Sequence, residues 1–226
     1  MCLTLFIVGG LFSLHSHAAG MVPETSLLMI NEAEEGGSIN IKNTDESAGL
    51  LYTSIVDLPD DKGVHLIVTQ PVVRVDAGQT QHIRFILQTQ QPLQTEHLKR
   101  VHFEGIPQRM PGKNKVGFNI RQDLPVLIHP AGLPIVKDAW TLLNWNLSGD
   151  TLTVKNPSAY VVRMTPQYEL LPSHTRYQLE KNYILPGQTL TVSGGAGAGG
   201  NTHVTFMPVS RYGIQVESVT APLNHR

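Results

Sequence analysis

The sequence predicts an all-β protein of two sandwich-like domains, and three observations carry that expectation. Short runs of alternating apolar and polar residues recur every ~8 to 12 residues, with Gly, Pro, Asn and Asp between them, which is the pattern of a β-sandwich or barrel. No segment shows a 3.6-residue apolar stripe. The chain has 226 residues, 41% hydrophobic and 15% charged, enough for one large or two modest domains with their own cores.

The opening MCLTLFIVGGLFSLHSHAAG has an apolar run from Leu3 to Leu14 and then small residues suited to cleavage near Ala18 or Ala19. Residues 1–19 therefore read as a signal peptide. No Lys or Arg precedes the run, which is what a start codon placed too late would leave. Nothing later approaches the ~18 consecutive apolar residues of a membrane span, so no stable membrane insertion is expected. Cys2 is the only cysteine and would leave with the signal, so disulfides, thiolate metal sites and Cys nucleophiles are not expected in the mature chain. Net charge is −1, which gives no global field for nucleic acid.

In the first half, SINIKN, LLYTSIVDL, HLIVTQPVVRV, QHIRFILQ and LKRVHFEGIP read as strands. They are followed by KNKVGFNIRQDLPVLIHP, residues 113–130. Its even positions are Val116, Phe118, Ile120, Gln122, Leu124, Val126 and Ile128, and the odd ones are mostly polar or turn residues. At ~3.3 Å per residue such a run spans on the order of 45 Å, longer than one small sheet needs. Part of it is therefore expected to serve something outside its own domain.

Two prolines and a glycine in HPAGLP then break the pattern, and the domain boundary is placed at 130–138. The expected domains are 20–130 and 138–226. In the second, DTLTVKNPS, YVVRMTP, QTLTVSG and HVTFMPV repeat the short alternating pattern.

Few motifs point to catalysis. GAGAGG, Gly195 to Gly200, satisfies a dinucleotide fingerprint search, but the strand-like NTHVTFMPV follows where a helix would have to begin, so it reads as a hairpin loop. Past the leader, whose His15 and His17 make one H-x-H, the histidines show no H-x-H or H-E-x-x-H spacing, and G-x-S-x-G and S-x-x-K are absent. No enzyme activity, metal or cofactor is expected. Basic residues collect near the long strand: Lys99, Arg100, Lys113, Lys115 and Arg121. They fit either a solvated sheet face that discourages edge pairing or a binding face.

At this point the chain resembles the periplasmic chaperones of the chaperone/usher pilus pathway. INIKNTD is similar to that family's early strand ending in Asn, and VVRVDAGQTQHIRFIL to its strand-turn-strand unit. EHLKRVHFEGIPQ is similar to its E-x-L and I-P segment, PVLIHPAGLP to its strand end and linker, and VKNPSAYVVRM to its Asn-Pro-Ser and Tyr segment. The resemblance implies two immunoglobulin-like sandwiches joined by a short linker. It implies a periplasmic chaperone that binds and stabilises pilus or fimbrial subunits by donor-strand complementation and delivers them to an outer-membrane usher. Aligned backward from LIHP, the donor residues fall on Val116, Phe118 and Ile120. The family anchors the subunit's C-terminal carboxylate with an Arg on the first strand and a Lys late in the long strand. Those positions here are Ser26 and Pro125, so either another basic pair such as Arg100 and Arg121 replaces them or the subunit is held in a different way. Pro125, which has no N–H, is expected at a bulge or an edge. The competing reading is a secreted immunoglobulin-like structural or adhesin module of a surface fibre.

Overall fold

The computed structural model describes residues 20–107, 119–193 and 198–225. Among the described residues the first half contains nine strands: β1 (Met21–Pro23), β2 (Leu28–Asn31), β3 (Gly36–Asn43), β4 (Gly49–Asp57), β5 (His65–Val68), β6 (Val72–Val75), β7 (Thr80–Gln88), β8 (His97–Pro107) and β9 (Ile120–His129). They form one ladder in the order β5-β7-β3-β2-β9-β8-β4-β6, with β1 paired to β3. Alternation decides which face is buried. Ile39, Ile41, Ile83 and Phe85 from one side meet Leu51, Val101, Phe103, Leu124, Val126 and Ile128 from the other in one apolar core. The run HLIVTQPVVRV, expected as a single strand, is split around Gln70 and Pro71. Its pieces β5 and β6 lie at opposite ends of the ladder.

The second half contains β10 (Asn144–Ser148), β11 (Thr151–Lys155), β12 (Val162–Leu171), β13 (Thr175–Gln178), β14 (Tyr183–Ile184), β15 (Thr189–Ser193), β16 (His203–Val209), β17 (Val219–Pro222) and β18 (Asn224–His225). Two sheets, β15-β11-β10-β18 and β13-β12-β16-β17, enclose Trp145, which packs against Tyr168 and Phe206. An asparagine closes a comparable corner in each half. Asn43 donates through Nδ2 to the carbonyls of Ser47 and Val75, and Asn156 donates to those of Tyr160 and Ile184. Both asparagines are fully buried, so these bonds satisfy amide groups that would otherwise be costly.

The halves meet over an apolar layer of Leu27, Leu98, Leu127, Val161 and Leu185. Polar contacts fasten both margins. Glu96 accepts from His129 Nδ1 at 2.9 Å, from the Val161 N–H at 3.0 Å and from Arg211 Nη1 at 3.5 Å. Asp60 accepts from Lys181 Nζ at 2.6 Å, Tyr183 Oη at 2.9 Å and Gln188 Nε2 at 2.9 Å. Its partial burial raises the carboxyl pKa, but these three donors outweigh that and hold it below the ordinary aspartate value. Burial, then the bond to Asp60, pushes the Tyr183 phenol up to about 12. The domain angle is therefore set by an apolar layer with a bound carboxylate at each margin.

Candidate functional site

The neighbours of β9 change along its length. From Val126 to Ile128 it pairs with β2 in parallel and with β8 in antiparallel register, His129 pairs with β2, and from Ile120 to Pro125 its ladder among the described residues is with β8 alone. Local sequence explains the change. Residues 24–27 form a bend, so β2 begins only at Leu28, whose partner is Val126. Pro125, one residue earlier, has no N–H to offer a second neighbour. It stands opposite Arg100 in unbroken register, which is the edge form of the expected bulge or edge.

This half of β9 presents two faces. Ile120 lies on the even face, in line with the buried Leu124, Val126 and Ile128, yet 42% of it is exposed. The other expected donor residues, Val116 and Phe118, lie outside the described residues. The odd face carries Arg121, Asp123 and Pro125, which stand across from Glu104, His102 and Arg100 of β8. On the same sheet face, Leu50 pairs with Ile106 and Tyr52 with Val72, and all four are exposed.

The two expected anchors do not converge. Arg121 and the position facing Arg100 are four residues apart on β9, about 13 Å at the rise of a strand. Arg121 faces Glu104 across the ladder. Arg100 donates through Nε to Asp123 Oδ1 at 2.7 Å and through Nη2 to the Asp123 carbonyl at 3.0 Å, and His102 Nε2 is 3.4 Å from the same carboxylate. Lys99 overturns the expectation of an exposed basic residue. It lies on the inward face with Val101 and Phe103, is 1% exposed, and reaches outward to Asp57 Oδ1 at 2.5 Å. Its long stem is buried while its charge is paired at the rim. Ser26 is exposed beside the Gly213 turn of the other half.

Histidines serve as structural partners: His97 of Asp61, His129 of Glu96 and His174 of Glu169. Among the described residues no group of three or more His, Cys, Asp or Glu is arranged to hold a metal ion. Within the Gly-rich loop, Ala198–Gly200 is a single 3-10 turn leading to strand β16, and no helix follows to receive a phosphate. The arrangement offers an open strand edge with an apolar face and a cationic group at its inner end.

Both halves of the chain match known family models. Residues 20–134 match the family model described as pili and flagellar-assembly chaperone, PapD N-terminal domain, and residues 138–220 match pili assembly chaperone PapD, C-terminal domain. The chain is 52% identical over 204 residues, 90% of each chain, to an Escherichia coli K12 protein named uncharacterized fimbrial chaperone YhcA. Its fold is similar to that of the E. coli chaperone DraB, with TM-score 0.71 and 17% identity over 90% of this chain and 98% of the other. It is also similar to a chain of the Salmonella enterica complex of SafA pilin with the SafB chaperone. There the TM-score is 0.73 and identity 16%, over 92% of this chain and 98% of that one.

Proposed function

This chain belongs to the PapD family of pilus-assembly chaperones, and on that premise we propose that it holds a fimbrial subunit by lending it the open half of β9. The observation that carries this reading is the single ladder from Ile120 to Pro125: a strand inside a folded domain that leaves one edge unpaired among the described residues. An incomplete subunit sheet can pair there through main-chain hydrogen bonds, while alternate side chains enter its groove and fix register. Ile120 supplies one such side chain, and the sequence continues the same parity to Phe118 and Val116. Family membership displaces the surface-fibre module as the alternative. Support for a periplasmic location comes from the leader-like residues 1–19 and from the family, and an outer-membrane usher is the receiving partner in the same scheme. Arg100, at the inner end of the open half, is the better placed of the two expected anchors for the subunit's terminal carboxylate. Arg121 lies farther out and faces Glu104.

Co-expression with a fimbrial subunit from the same genome, followed by purification of the periplasmic fraction, tests the reading. A one-to-one complex is expected. Recovery of free chaperone and degraded subunit would overturn it.

A further inference from the structure

The turn that follows β16, residues 210–214 with the sequence SRYGI, inverts the usual placement of charged and apolar side chains. Arg211 points inward, 7% exposed, with Nη1 3.5 Å from the Glu96 carboxylate of the first half. Tyr212 is 55% exposed, and Ile214, at 68%, is the most exposed large apolar residue among those described. Neither apolar side chain is needed to shape the turn. The Ser210 carbonyl accepts from the Gly213 N–H at 3.0 Å and from Arg163 Nη2, on β12, at 3.3 Å. The Ser210 N–H donates to the Ile214 carbonyl at 2.7 Å, and its Oγ accepts from the Ile214 N–H at 3.2 Å. Main chain and arginines therefore hold the loop, and two large side chains left in water contribute nothing to the fold. One such residue is ordinary on a protein surface, but two on one rigid turn mark a face that a partner covers.

The position of the turn names that partner. Gly213, at φ +85°, rests on the first half: a Cβ built there would lie 2.9 Å from Ser26 Oγ and 3.2 Å from Leu27 Cβ, so only glycine permits the approach. Ser26 and Leu27 close the bend from which β2 starts, at Leu28 opposite Val126. A strand added along Ile120 to Pro125 continues the line of β2, and its inner end arrives at this bend. Ser26 is two residues, about 7 Å of strand, from Leu28, so the turn and the open edge border one recess. Main-chain pairing repeats every two residues, and a client strand that slides by two keeps the same faces. A fixed body at the end of the lane removes that freedom.

We propose that Tyr212 and Ile214 form an apolar stop, supplied by the second domain, that packs on the flank of the bound subunit and fixes how far along β9 it sits, an identification that rests on the chaperone reading above. The matching surface of the subunit is apolar, because the one charged side chain of the turn, Arg211, is turned away onto Glu96. That same contact of Arg211 fastens the stop to the first half, so the second domain takes part in register as well as in the junction.

The test co-expresses the full chain with a fimbrial subunit from the same genome and compares wild type with Tyr212→Ser, Ile214→Ser, Tyr212→Phe and Ile67→Ser. Ile67 is an exposed apolar residue on β5, at the far end of the first-half ladder. Subunit retention should fall roughly 10- to 100-fold for Tyr212→Ser and Ile214→Ser and stay at the wild-type level for Tyr212→Phe and Ile67→Ser, with the thermal midpoints of the free proteins unchanged. Where a serine variant lowers the midpoint, a photo-crosslinking residue at position 214 decides instead. It should join the subunit, and a captured subunit without that crosslink overturns the stop. If wild type captures the subunit and both folded serine variants capture it equally well, the stop is wrong and the chaperone reading stands. Light scattering that then showed Ile214→Ser turning a dimer into a monomer would assign the turn to a second copy of this chain. If wild type captures no subunit, the chaperone reading itself fails, and the stop falls with it.

Discussion

β8 and β9 build both the domain junction and the open edge, and the two regions are made in opposite ways. At the junction, His97, Leu98, Leu127 and His129 lie beneath the second half, and the carboxylate of Glu96 beside them is 3% exposed and bound by groups from both halves. A few residues along, Arg100, Glu104, Ile106, Ile120 and Arg121 face solvent or the cleft, with one edge of β9 unpaired among the described residues. A rigid end and an available end on the same strand pair allow a client to be held at a defined position relative to the second domain. Partners and pairing separate the regions more than hydrophobicity does, since Ile120 and Ile128 share a residue type and a face.

The largest effect separating the two regions should come from Glu96→Ala. It leaves Arg211 and His129 buried without their carboxylate and the Val161 N–H without its acceptor. Breaking a buried ionic cluster on one side costs about 3 to 5 kcal/mol, so the urea midpoint should fall sharply and the two halves should unfold in separate steps. A single unchanged transition would show that the apolar layer of Leu27, Leu98, Leu127, Val161 and Leu185 and the Asp60 contacts join them without Glu96.

A smaller, pH-dependent effect is expected at the other margin. The Asp60 carboxyl is held below its ordinary value, so its ionised form contributes stability above the unfolded pKa of ~3.9, and that contribution is lost as pH falls through the lower folded value. At neutral pH wild type should be more stable than Asp60→Asn, and the gap should close as acid protonates the wild-type carboxyl. Urea titrations of both proteins from pH 7 to pH 2 measure it. A gap that stays constant over that range would mean that Lys181, Tyr183 and Gln188 do not depend on the charge of Asp60.

Period-two alternation and turn residues located most strands, because those signals are local. They did not show that Pro71 divides HLIVTQPVVRV between opposite ends of the ladder, since strand order is a non-local outcome. The apolar parity of β9 was legible, including the face on which Ile120 lies. Its division into a doubly paired and a singly paired half depends on where β2 begins, about a hundred residues away. Lys99 read as a surface cation because its type usually is one, and only the ladder to β4 places Asp57 at its tip. Arg163 carried a faint signal as a charged residue amid VVRM. Its place beside Ser26 is a product of how the two halves meet, which no local pattern encodes.

The smallest expected effect on stability, and the most direct measure of the open edge, is Ile120→Ser. Ile120 is 42% exposed and begins the strand, so the free protein should change by no more than ~0.5 kcal/mol, as surface substitutions generally do. A client groove that buries the same side chain would lose ~1.5 to 3 kcal/mol, about tenfold or more in affinity. Asn119→Ser, on the opposite parity, removes only an exposed hydrogen bond to Glu104 and should leave both quantities near wild type. Thermal midpoints and subunit pull-down measured on the same preparations separate the outcomes. Lost binding with an unchanged midpoint is expected for Ile120→Ser alone. A lowered midpoint with binding retained would place Ile120 in the chaperone's own core, and β9 would then have no free half to lend.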